Sequence, residues 1–128
     1  MTQKQALNLW LAGANDAFDT AKKLYSAKKF DHCLFFVHLA LEKILKAVYL
    51  SRKNSAPPPI HNLTKLAKTC DFYLSEIEIK QLDEISKFNV SARYDDIKLQ
   101  FYKKATNLYA ETWLGLAEKF YQKFQSAL

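Results

Sequence analysis

Apolar residues recur along this chain at steps of three and four. Ala6, Leu9, Trp10, Ala14, Ala17, Phe18, Ala21, Leu24 and Tyr25 define one such face, with Lys4, Asn15, Asp16, Lys22 and Lys23 mostly opposite. Lys28 and Lys29 interrupt the pattern, and Asp31 is a suitable N-cap for a second helix from about residue 32 to Arg52. At about 100° per residue, Leu34, Val37, Leu41, Leu45 and Val48 fall within an arc of about 80° beside His38. Phe36, Leu39, Ala47 and Leu50 lie round the back. A helix apolar on most of its circumference is central or meets a second molecule. A buried centre with self-association is the expectation.

Asn54 to Pro59, with three consecutive prolines, ends that helix and holds an extended path. His61-Asn62-Leu63 follows, with Asn62 a candidate cap for a short helix carrying Leu63, Leu66 and Ala67. Ser75 and Glu78 match a capping box and start a helix through Ile79, Leu82 and Ile85 to about Phe88. Residues 89–96 lack periodicity and read as a loop. The last helix is expected to start between Asp96 and Lys104 and to carry Ala105, Leu108, Thr112, Trp113, Leu116, Phe120 and Phe124. Nothing alternates with period two. The chain reads as one all-α domain over residues 1–128, an antiparallel up-and-down bundle of four long helices and one short one.

Composition narrows the function classes. Two glycines and three prolines in 128 residues disfavour many-turned β-sandwiches and Gly-rich nucleotide loops. A net charge of +6 suits a polyanionic partner such as nucleic acid, nucleotide or an acidic protein, or serves solubility alone. The lysine pairs Lys22/Lys23, Lys28/Lys29 and Lys103/Lys104 are scattered and form no basic strip. Cys33 and Cys70 form no CxxC and are expected to be buried free thiols. Three histidines without ligand spacing give no metal site, and no cofactor is implied. No apolar stretch approaches the ~20 residues of a membrane span. No secretory signal opens the chain, so a cytoplasmic location is expected.

Three polar groups need an explanation. His38, Glu42 and Lys46 follow one another at i, i+4 and form an oblique ridge on the second helix. Glu42 is placed to accept the N–H of a buried His38 and to pair with Lys46. The bland alternative is a satisfied core histidine beside a surface ion pair. His61 lies just after the prolines, where it is either functional or merely exposed beside the Asn62 cap. Arg93 and Tyr94 in the long loop offer a guanidinium fork and a ring, suited to phosphate and base or to a structural bridge with Glu42 or Asp95.

The run His38-x-Ala40-x-Glu42-Lys43-x-x-Lys46-Ala47, then His61-Asn62-Leu63, then Arg93-Tyr94-Asp95 before a final helix, resembles the HEPN domain over nearly the whole chain. The opening helix, Trp10 through Asp16 and Phe18 to Ala21, fits as well. The resemblance implies a bundle of four or five helices, usually dimeric, and a link to nucleotide binding. Many small prokaryotic members sit beside a minimal nucleotidyltransferase in toxin–antitoxin pairs. Many others are metal-independent ribonucleases, which use an arginine followed, after four to six residues, by a histidine. Here Lys98, Leu99 and Gln100 stand at those positions after Arg93, and no histidine follows His61. Metal-free RNA cleavage needs a group to take the 2′-hydroxyl proton and one to return it.

The resulting expectation is a non-catalytic or weakly catalytic homodimer that binds a nucleotide or a nucleotidyltransferase partner through His38, Glu42, Lys46, His61, Arg93 and Tyr94. The alternatives are a ribonuclease toxin acting through Arg93, with RNA as substrate, and a structural adaptor without a small ligand.

Overall fold

Four helix starts in this chain, those of the first, third, fourth and sixth helices, follow from side chains that close open backbone donors. The computed structural model describes residues 1–89 and 95–128, the side chains at 95 and 96 excepted. Its elements are α1 (Gln3–Ser26), α2 (Phe30–Lys53), α3 (Leu63–Thr69), α4 (Glu76–Ser86), α5 (Asp95–Lys104) and α6 (Asn107–Gln125), with no strand among the described residues. The Thr2 hydroxyl accepts from the Gln5 amide at 3.1 Å, and the Gln5 side chain accepts from the Thr2 amide at 2.9 Å. Ser75 and Glu78 close the start of α4 in the same reciprocal way, as the sequence implies. Asn62 caps α3 through a 2.9 Å bond from Lys65 N–H.

Two starts differ from the sequence reading. Asp31 lies inside the first turn of α2, because the helix begins at Phe30 after Lys29, which makes no side-chain cap. The expected last helix is two, α5 and α6, divided at Ala105. There the Thr106 hydroxyl accepts from the Tyr109 amide at 3.2 Å and starts α6 afresh. The restart resets the helical register. Leu108, expected inside, is 74% exposed, while Ala110, Ala117, Phe120, Tyr121 and Phe124 are buried. Leu9 of α1 is likewise exposed, and Ala14, Ala17, Phe18 and Ala21 carry that helix's core stripe.

Between α1 and α2 the chain reverses at Lys28, a non-glycine residue with φ 61°. That left-handed geometry costs of order 1 kcal/mol, and packing of the two long helices offsets it. α2 is the centre of the molecule. It packs against α1 and α6, with α3, α4 and α5 on its remaining sides. Thirteen of its 24 residues are buried by its own chain, while Phe35, Phe36, Leu39 and Tyr49 stay partly open. At roughly 1.5–3 kcal/mol for each fully buried large apolar side chain, this helix anchors the fold. Phe88 stands at the meeting point of the later elements, with Phe101, Tyr109 and Trp113 at ring-centroid distances of 5.7, 5.9 and 6.0 Å. Cys33 and Cys70 are buried, separate thiols, and burial pushes both up to about 11. No helix among the described residues is long and apolar enough to cross a membrane.

Candidate functional site

The polar ridge of α2 meets the segment that follows the prolines. His38 is 1% exposed, and its Nε2 lies 2.9 Å from the backbone carbonyl of His61. A carbonyl only accepts, so Nε2 carries the proton and donates it. Glu42 Oε1 is 3.9 Å from the same nitrogen, too far for a hydrogen bond. The backbone of His61 therefore fills the acceptor role that the spacing assigns to Glu42. Burial lowers the proton affinity of His38 more than the His61 carbonyl and the Glu42 charge raise it, so the ring is held neutral.

Glu42 instead joins two other partners. Its Oε2 accepts from Lys46 Nζ at 3.0 Å, and its Oε1 accepts from His61 Nδ1 at 3.0 Å. Burial alone would raise the carboxyl. The bonds from His61 and Lys46 and the Lys46 charge outweigh it and hold the group below the ordinary carboxylate range. The Lys46–Glu42 pair has the spacing the sequence implies, yet it is interior: the two residues are 6% and 7% exposed. The Lys46 ammonium also lies 5.6 Å from the centroid of the Trp10 ring, a contact between α1 and α2 that the sequence does not announce. Lys46 is thus matched from both sides inside the fold.

His61 is the member that faces out. Its side chain is 64% exposed while Nδ1 donates inward to Glu42. No hydrogen bond to its Nε2 comes from the described residues. The segment around it is pinned: Ile60 packs against the core, and the Leu63 amide donates to Ser86 Oγ at 3.0 Å on α4. An imidazole backed by a buried carboxylate, with its second nitrogen outward, is oriented to accept a proton or donate one to a ligand. The structure therefore brings His38, Glu42, Lys46 and His61 into one cluster. Arg93 and Tyr94, the other two residues expected to bind the ligand, lie outside the described residues. Neither the His61 carbonyl nor Trp10 was marked by any local signal, because both reach the cluster only through tertiary packing.

Comparison with known proteins agrees with this architecture. No functionally curated protein matches the chain. A solved structure similar to it is TT1696 from Thermus thermophilus, at 21% identity and a TM-score of 0.79, covering 95% of this chain and 98% of that one. At that identity the likeness concerns the fold. The HEPN domain family model matches residues 7–127, which is nearly the full length, and on that match the chain belongs to the HEPN domain family.

Proposed function

We propose that this HEPN-domain protein is a dimeric helical module that binds a nucleotide, a minimal nucleotidyltransferase partner, or both, in a toxin–antitoxin-type system. The observation that supports the reading is the fixed His61 ring, turned outward by Glu42 and held through its own carbonyl by His38. In this reading His61 contacts the ligand, Arg93 binds phosphate, and Tyr94 stacks on the base, while His38, Glu42 and Lys46 hold the platform. The contact between Ser86 and Leu63 supports it, since it brings the end of α4, from which the Arg93 segment continues, beside the His61 turn. Titration calorimetry with nucleotides, alongside capture of a co-encoded nucleotidyltransferase, tests the proposal. Binding that is weakened in Arg93→Ala and His61→Ala is the expected result. If neither nucleotide nor partner binds, a structural adaptor is left.

The Glu42–His61 pair also favours a second reading, metal-independent RNA cleavage in which His61 accepts the 2′-hydroxyl proton as that oxygen attacks phosphorus, Arg93 sits on the phosphate, and solvent water protonates the departing 5′-oxygen. RNA degradation by purified protein in chelator, lost in both His61→Ala and Arg93→Ala, would place it above the first.

A further inference from the structure

Lys28 and Lys29 close the turn between α1 and α2, and Lys103 lies in the last turn of α5, more than seventy positions later. The fold sets them on one cleft of about 470 Å³, shared with His32, Tyr102 and a single carboxylate, Asp31. The sequence presents these lysines as scattered; the structure gathers them. Three cations against one anion leave the cleft positive, and none of the three makes an ion pair among the described residues. Lys104, next in sequence, is by contrast tied to Glu84 at 2.8 Å. Unmatched like charges around a concave surface repel one another, and an anion in the cleft relieves that repulsion. The uncapped first turn of α2 lies on the same wall and adds to the potential, but the side chains carry the site.

Size and lining decide the class of anion. The cleft has the dimensions of a small-ligand site, and beside the lysines it offers the Tyr102 ring, 64% exposed, for stacking. A polymer backbone would need a longer track of charge interleaved with rings. We propose that this cleft binds the polyphosphate of a nucleoside di- or triphosphate, with Lys28, Lys29 and Lys103 on phosphate oxygens and Tyr102 beside the base. The inference rests on the nucleotide-binding reading above and adds a second phosphate site to it, apart from the one assigned to His61, Arg93 and Tyr94, since Asp31 and His38 stand about 10 Å apart along α2.

The test titrates the protein with inorganic tripolyphosphate, with ATP and with GTP, following heat and amide chemical shifts. The double variant Lys29→Ala/Lys103→Ala should weaken tripolyphosphate about tenfold or more, as loss of two charge-assisted contacts implies. Tyr102→Ala should weaken the nucleotides and spare tripolyphosphate. Lys119→Ala, an exposed lysine on α6, controls for net charge and should change nothing. All the substituted positions are exposed, and an unchanged circular-dichroism melt certifies the fold. Equal tripolyphosphate affinity in wild type and double variant overturns the cleft. If nucleotides then still bind and Arg93→Ala abolishes it, the nucleotide-binding reading stands with a different site. If neither probe binds the wild type, both fall. Lysine-dependent binding of single-stranded RNA without binding of either small probe would make the surface a nucleic-acid face and also overturn the proposal.

Discussion

Glu42 holds the α2–α3 junction together, because it is the acceptor for both Lys46 and His61. Glu42→Gln leaves a buried ammonium without its counter-charge, so a loss of about 3 kcal/mol is expected in urea unfolding. His61→Ala removes only the exposed partner and keeps the carbonyl that His38 uses, so its cost should stay below about 1 kcal/mol. A larger loss in His61→Ala than in Glu42→Gln would contradict the assignment of roles. His38 makes a prediction about pH. Its proton affinity is lowered on folding by burial, against the pull of Glu42 and the His61 carbonyl and with the push of Lys46 and the His61 ring. The unfolded chain therefore binds the proton more readily, and stability falls as pH drops below the ordinary histidine value, by at most about 1.4 kcal/mol per pH unit. Glu42, held below its ordinary value, adds its own loss only at more acidic pH, as it becomes protonated. Melting curves between neutral pH and mild acid should show a shallower decline in His38→Gln than in wild type.

At the level of helices, caps were more legible than registers. Asn62 and the Ser75/Glu78 box announce α3 and α4 because those side chains bond to donors three residues away, within the reach of a local pattern. The break between α5 and α6 carries no glycine or proline, and Thr106 is one polar residue among several, so periodicity runs straight through it and turns Leu108 inward wrongly. Thr106→Ala should therefore cost about 1 kcal/mol in chemical unfolding, the usual worth of an N-cap. Gly115 tests the outer face of the same helix. A methyl group there meets nothing within 4 Å, so Gly115→Ala should gain up to about 1 kcal/mol from helix propensity and raise the melting temperature. Gly13 is different, since its added methyl would lie 3.3 Å from the Lys43 side chain, and it lets that side chain rest against α1.

For the whole molecule, the all-helical class and the central position of α2 could be read from period and composition, since both depend on where apolar residues stand along one helix. The candidate site was legible only in part. Glu42 and Lys46 lie one turn apart and could be paired on spacing, but Glu42 and His61 are 19 residues apart across a proline turn whose path no local rule dictates. The proposed dimer can draw on what α2 leaves partly open, the side chains of Phe35, Phe36, Leu39 and Tyr49, or on other surface. Light scattering should give a mass twice 14.8 kDa, and a monomer would remove that part of the proposal. The tie from His38 to the His61 carbonyl bears on how the molecule breathes. A proline-rich connection would ordinarily open independently of the core, yet here it cannot lift away without breaking the His38 bond, the Glu42 bond and the Leu63–Ser86 bond together. The Leu63 and Lys65 amides should accordingly exchange with deuterium at rates close to those of central α2, rather than at loop rates, and His38→Ala should speed that exchange more than His38→Gln, whose amide can still donate to the carbonyl.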